Sequence, residues 1–257
     1  MLKEERQNKI IDLLESESFL TVSNISTQLK VSEMTIRRDL NQLAQESKLI
    51  KVHGGAKKIE PKELSTSEKI NCNVSEKKEI GMFMNSLIKD DQVIYIGAGT
   101  TIFYALSHIT KKNLYIITNS LIAFNYINEN TDYKVILTGG EFNSRTEEFI
   151  GNIAEKSFKT LNIDIAFAAT NGIFDNNVTT STSLQGGVQN AAFQSSRIKC
   201  IVADSSKLNK SDIFTFYKLS NLDFLITDSK ITDDDYKKYS SYTTVVKEIQ
   251  HDTNRYR

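Results

Sequence analysis

The chain has 257 residues, about 39% of them apolar, and its 32 basic and 32 acidic residues give a formal net charge of zero. Nothing global marks a nucleic-acid binder, so any DNA-reading segment needs a local positive surface. The length suits two domains. No apolar run approaches the ~20 residues that cross a bilayer, and the charged N-terminal stretch lacks the apolar part of a signal peptide. The expectation is a cytoplasmic protein with no membrane partner.

The first 58 residues read as helical. Ile10, Ile11, Leu13 and Leu14 make one apolar face. Val22, Ile25 and Leu29 make a second behind Thr21, and Ile36, Leu40 and Leu43 a third behind Ser32, each with a hydroxyl suited to an N-cap. A few residues around Val31 join the second helix to the third, a tight helix-turn-helix corner. Two short strands, Leu49–Val52 and Ala56–Ile59, then flank His53-Gly54-Gly55 as a hairpin wing. With its apolar positions inward, the third helix projects Thr35, Arg37, Arg38 and Asn41, with Ser32 at its start also expected at the DNA, and such a helix fits the major groove, where Arg bonds guanine and Asn bonds adenine. From Lys30 to Lys58 there are seven basic residues against three acidic ones, an excess that favours phosphate contacts. The wing offers Lys51, His53, Gly54, Lys57 and Lys58 for backbone or minor-groove contact.

Residues 59–75 are polar, hold the single proline, Pro61, and follow neither helical nor strand period, so they are expected to be a linker. From Ser75, a suitable cap, a helix carries Ile80, Phe83, Met84, Leu87 and Ile88. Short apolar runs then alternate with helical stretches: Val93–Ile96, Leu114–Ile117, Lys134–Leu137, Ile165–Ala169, Lys199–Ala203 and Phe224–Thr227. That alternation predicts an α/β domain over residues 76–230, with a mostly parallel sheet covered on both faces. Residues 231–257 are expected to be a polar tail with at most one further helix or strand.

Five of these runs end in polar clusters: Gly97-Ala98-Gly99-Thr100-Thr101, Thr118-Asn119-Ser120, Thr138-Gly139-Gly140, Thr170-Asn171-Gly172 and Asp204-Ser205-Ser206-Lys207. The first is a glycine-rich strand-to-helix turn, which can surround an anion with N–H groups and hydroxyls. Each cluster alone is also ordinary turn chemistry. Together, at strand ends of an open α/β sheet, they outline a pocket for a small polyhydroxylated anion. Cys72 and Cys200 lie far apart, and His53, His108 and His251 are scattered, so no disulfide framework, metal site or cofactor is expected.

The string Val31-Ser32-Glu33-Met34-Thr35-Ile36-Arg37-Arg38-Asp39-Leu40, followed by Leu49-Ile50-Lys51-Val52-His53-Gly54-Gly55-Ala56, resembles the DNA-binding signature of DeoR-family bacterial regulators. The resemblance continues through the polar clusters to about Asp228. It implies that the helix from Ser32 is the recognition helix and that the His-Gly-Gly-Ala segment is the wing turn. It also implies a sensor domain folded like ribose-5-phosphate isomerase and binding a phosphorylated sugar. By that resemblance Gly99, Thr100 and Thr101 hold phosphate, Lys207 contacts the ligand or its phosphate, and Asn119, Gly139 and Asn171 line the pocket; Gly97, where many members have Asp, is also expected at the effector. The Gly-x-Gly-Thr-Thr form is most similar to that of the family's lactose phosphotransferase repressors, which respond to tagatose 6-phosphate, although these usually carry Pro where this chain has Ala98. Many members place Glu where this chain has Gln185, near the start of a helix around Val188–Ser196. An amide there can hydrogen-bond a hydroxyl but cannot act as a carboxylate base.

The function expected is a non-enzymatic repressor of a sugar-utilisation operon, modulated by a sugar phosphate and binding operator DNA as a homodimer or tetramer, since one module specifies few bases. The alternative is an isomerase-like enzyme carrying a DNA-binding module, with Glu141, Glu147 or Glu148 as base. Against it, Glu147 and Glu148 are expected in the first turn of a helix, where carboxylates are favoured without catalysis. A DNA binder with no effector is a third reading.

Overall fold

The computed structural model describes residues 3–17, 19–46, 48–57 and 64–248. Lys58, Ile59, Pro61 and the last residues of the tail, His251 among them, lie outside this set. The chain divides into two compact units, Met1–Glu63 and Leu64–Arg257.

In the first unit, α1 (Lys3–Ser16), α2 (Val22–Leu29) and α3 (Glu33–Gln45) surround a core of Ile10, Leu14, Ile25, Ile36, Leu40 and Leu43. Thr21 Oγ1 accepts from the Asn24 N–H at 3.1 Å and Ser32 Oγ from the Thr35 N–H at 3.4 Å, so both expected caps are in place. Between α2 and α3 the chain reverses through Lys30, in the left-handed region at φ 53°. The wing is a three-stranded antiparallel sheet rather than a hairpin: β1 (Phe19–Thr21) pairs with β3 (Gly55–Lys57), which pairs with β2 (Ile50–Val52). A three-residue strand is too short to show a period. It forms here because buried Leu20 sits opposite Ala56, both inside the helical core.

The second unit opens with α4 (Thr66–Ile70) and α5 (Val74–Leu87), then β4 (Val93–Ile96), α6 (Thr100–Leu106), β5 (Tyr115–Thr118), α7 (Leu121–Asn130) and β6 (Lys134–Leu137). A hairpin of β7 (Glu141–Asn143) and β8 (Glu148–Ile150) follows, then α8 (Gly151–Ser157), β9 (Ile163–Ala169), β10 (Gly172–Phe174), β11 (Asn177–Thr180) and α9 (Ser183–Gln194). The unit continues with β12 (Ser196–Val202), β13 (Phe214–Lys218), β14 (Phe224–Ile226), α10 (Asp233–Ser240) and β15 (Thr244–Val246). Seven strands form a parallel sheet in the order β15-β14-β12-β9-β4-β5-β6. Strand residues alternate between two cores. Ile94, Ile96, Ile165 and Phe167 face α5 and α6 on one side. Tyr95, Ala166, Ala168 and Ile201 face α8 and α9 on the other. A second small sheet, β10-β11-β13, lies beside it.

Five further expectations need correction. Part of the expected linker is structured: Ser65 and Glu68 form a reciprocal capping box around α4, a helix too short to leave a period in sequence. The next helix starts at Val74 behind Asn73, while Ser75 Oγ donates to Glu76 instead of capping. Residues 231–248 are not simply a polar tail, because β15 extends the sheet and Tyr239 of α10 is fully buried. Glu147 and Glu148 lie not in a first helical turn but in the hairpin, Glu147 at φ 54° and Glu148 within β8; the helix expected around Val188–Ser196 runs from Ser183 to Gln194.

Candidate DNA interface and effector site

On α3 the side chains of Arg37, Arg38 and Asn41 are exposed, and Thr35 is half-buried. Asp39, in the same run, points the other way. It is buried and accepts from Arg6 of α1 at 2.5 and 3.2 Å, which ties the recognition helix to the first helix. Ser32 is spent on the cap, its hydroxyl 3.0 Å from that of Thr35. Arg37 reaches Glu33 one turn back at 3.3 Å, a solvated pair that phosphate can displace at little cost. Lys51 Nζ donates to Asn41 Oδ1 at 2.6 Å, so the wing and the recognition helix present one surface. His53 and Lys57 are exposed, and Gly54, at φ 79°, makes the turn between β2 and β3. One residue went unread in the sequence: Met34 is 64% exposed at the start of α3, an apolar side chain suited to a thymine methyl.

The sheet of the second unit changes winding direction at β4. Strands β5 and β6 extend it to one side, and β9, β12, β14 and β15 to the other. The carboxyl ends of β4 and β9 therefore flank a topological switch point, where ligands bind in open α/β sheets. The Gly97–Thr101 turn lies there, with the Gly97 N–H on Phe167 O at 2.9 Å. Gly99 sits at φ 131°, and a Cβ there would come within 2.8 Å of Ala169 Cβ, so this turn requires glycine. Thr100 and Thr101 are buried at the start of α6.

Two polar networks extend from this point. In the first, Tyr95 OH donates to Asn119 Oδ1 at 2.9 Å, Asn119 Nδ2 donates to Glu148 Oε2 at 3.2 Å, and Gln185 Nε2 donates to Glu148 Oε1 at 2.8 Å. All four residues are buried, and burial pushes the Tyr95 hydroxyl's pKa well up, keeping it a neutral donor. Gln185 Oε1 also accepts from the Thr182 N–H at 3.1 Å, closing a capping box on α9. Asn119 and Gln185, far apart in sequence, thus meet on Glu148, which the sequence offered only as a candidate base. In the second network, Asn171 Nδ2 donates to Ser181 Oγ at 2.6 Å and Asp212 Oδ2 at 2.8 Å, while its Oδ1 accepts from Lys69 Nζ at 3.3 Å. Gly139, at φ 66°, lies in the turn after β6. Lys207 is half-buried beyond β12. Burial is the main force lowering its ammonium pKa, Asp204 opposes that shift, and Lys69 and Lys210 add to it. The like charges of Lys69 and Lys210 thus act on Lys207, a repulsion that an anion would relieve. Among the described residues no cluster of His, Cys, Asp and Glu could hold a metal, and no helix is long and apolar enough to cross a membrane.

Residues 6–62 match the DeoR-like helix-turn-helix domain, and residues 72–229 match the DeoR C terminal sensor domain. The chain belongs to the DeoR family. Among curated DeoR relatives, the lactose phosphotransferase system repressor of Streptococcus mutans is 35% identical over 96% of this chain and 100% of its own length. The repressor of the same name from Lactococcus lactis is 34% identical over 96% of this chain and 99% of its own. Of solved structures, ribose 5-phosphate isomerase from Plasmodium falciparum overlaps 52% of this chain and 53% of its own, at 21% identity and a TM-score of 0.39. The eIF2B beta subunit from Chaetomium thermophilum overlaps 65% of this chain and 53% of its own, at 10% identity and a TM-score of 0.46. Overlaps this slight say nothing of activity. As a DeoR-family protein, the chain pairs a DNA-binding unit with a sensor unit.

Proposed function

We propose that this DeoR-family protein is a cytoplasmic, non-enzymatic repressor of a sugar-utilisation operon, that of the lactose phosphotransferase system by the name of its relatives. A phosphorylated sugar, with tagatose 6-phosphate as the first choice, lowers its affinity for operator DNA. Residues 1–58 read DNA, with Arg37, Arg38 and Asn41 on bases, Met34 beside a thymine methyl, and Thr35, Lys51, His53, Gly54 and Lys57 on the backbone; Ser32 holds the helix start. The effector lies at the switch point, its phosphate against Gly97, Gly99, Thr100, Thr101 and Lys207. Asn171 meets its hydroxyls, and Asn119, Gly139 and Gln185 shape the wall. A homodimer or tetramer on paired half-sites completes the reading. The observation that carries it is the meeting of Gly97–Thr101, Asn171 and the lysines at one end of the sheet, in a chain that also carries an exposed basic recognition helix.

The effector can release DNA only by binding the low-affinity state more tightly. The test is fluorescence anisotropy on the DNA upstream of the protein's own gene, with tagatose 6-phosphate and a panel of other sugar phosphates. Tight binding reversed by one phosphate is expected. DNA binding that no phosphate alters would remove the sensor role, and no DNA binding at moderate salt would remove the repressor itself.

A further inference from the structure

The segment that leads out of the DNA-binding unit packs directly onto the sensor site. Helix α4 begins three residues beyond Glu63, where the first unit ends. Its first residue is pinned to the β7–β8 turn: the Thr66 N–H donates to Arg145 O at 3.0 Å, and Arg145 also reaches Glu68 at 3.5 Å. Its far end meets the opposite side of the switch point, where Lys69 Nζ donates to Asn171 Oδ1 at 3.3 Å. Lys69 O accepts from Lys77 Nζ of α5 at 2.7 Å, and between these anchors α4 lies against α6, the helix that leaves the Gly97–Thr101 turn. So α4 spans the carboxyl end of the sheet from the hairpin beyond β6 to the end of β9.

We propose that α4 roofs the effector site and that Lys69 is an anion-binding residue of that site, exchanging the amide of Asn171 for the ligand's phosphate. The proposal rests on the sensor reading above and adds to it a ligand group and a route. Two observations support it beyond the contact itself. Burial is the main cause lowering the Lys207 ammonium's pKa and Asp204 opposes it, while the like charges of Lys69 and Lys210 add to the lowering. A dianion entering there relieves this like-charge repulsion. Second, the bond to be exchanged, an ammonium on a neutral amide, is weaker than an ammonium on a phosphate. The phosphate therefore draws Lys69 inward, and the start of α4 is the residue run that continues into the DNA-binding unit.

The test measures binding of tagatose 6-phosphate, unphosphorylated tagatose and inorganic phosphate to the full chain by titration calorimetry, with DNA release read in parallel. The variants are Lys69→Ala, Lys69→Gln, Lys69→Arg and Lys207→Ala. Lys69→Ala and Lys69→Gln are expected to weaken tagatose 6-phosphate binding tenfold or more and to shrink its preference over unphosphorylated tagatose. Lys69→Arg should restore both, and with Lys69→Ala and Lys69→Gln more tagatose 6-phosphate should be needed to release DNA. A merely structural Lys69 would leave the phosphate preference intact. If the wild type binds the sugar phosphate and Lys207→Ala weakens it while Lys69→Ala and Lys69→Gln do not, α4 is no part of the site and the sensor reading stands. If the wild type takes up no sugar phosphate of the panel and no inorganic phosphate, the anion site is absent and both readings fall.

Discussion

Single residues in this chain divide sharply between holding the fold and facing a ligand, and neighbours in sequence take opposite parts. Arg38 and Asp39 are adjacent, yet one is exposed and the other is buried against Arg6. Replacing Asp39 with Ala strands Arg6. Because the Arg6 side chain keeps some solvent contact, the cost should be about 2 kcal/mol rather than the ~3–5 kcal/mol of a fully buried pair. Arg38→Ala should leave stability within about 0.5 kcal/mol and instead weaken DNA binding by about 1–3 kcal/mol and relax the preference at the base it reads. Urea melts on both variants and anisotropy on operator DNA with single base changes check this, and a stable Asp39→Ala protein would refute the structural role. At the other end of the chain, Lys230 and the Ser75 hydroxyl hold the Glu76 carboxyl down to about 2. A carboxyl with a lowered folded value adds stability that is fully present above its unfolded value, near 4.5. That stability is lost as pH falls toward 2. The melting temperatures of wild type and Glu76→Gln should therefore differ at pH 6 and converge by pH 2. A constant difference would show that the pair is not the cause.

At the scale of elements, very short pieces decide the local architecture. The wing depends on β1 lying against β3, and that approach is so close that a Cβ on Gly55 would come within 2.2 Å of Leu20 O. Gly55→Ala should cost about 3 kcal/mol, by forcing the strands apart. Gly54→Ala meets nothing within 4 Å and bears only the ~1–2 kcal/mol strain of its φ. Thermal unfolding of both variants distinguishes the two, and equal losses would mean that strand approach is not what requires Gly55. The β7–β8 hairpin matters for a different reason: it carries Glu148 into contact with Asn119 and Gln185. Its strands of three residues, like α4 and β15, carry too few positions to show a period. The longer α3 and β9 carry enough, which is why those were readable in advance.

For the whole molecule, two compact units with separate cores predict separable unfolding. Calorimetry should show two transitions. A sugar phosphate at a hundredfold excess over its Kd should raise only the sensor transition, by about 2.7 kcal/mol at that concentration. A shift of both transitions would show that ligand energy reaches the DNA-binding unit directly. A single transition would show that the two cores unfold as one.

The sequence alone determined the helix-turn-helix, the alternating α/β order and the polar strand ends, because helical period, N-cap hydroxyls and glycine turns are local consequences of side-chain shape and backbone sterics. It also named Arg37, Arg38 and Asn41 as exposed residues of α3, since the side of a helix opposite its apolar stripe is exposed almost by construction. Only the tertiary structure decided which strand ends share a space. The switch point at β4 and β9 depends on strand order, and strand order is set by packing across tens of residues. For the same reason Lys69, in a stretch that reads as linker, meets Asn171, and Glu148, in a stretch that reads as helix start, meets Asn119 and Gln185, only once the chain has folded. A polar side chain's role is fixed by the partner it finds, and in this protein the partners lie up to 154 residues away.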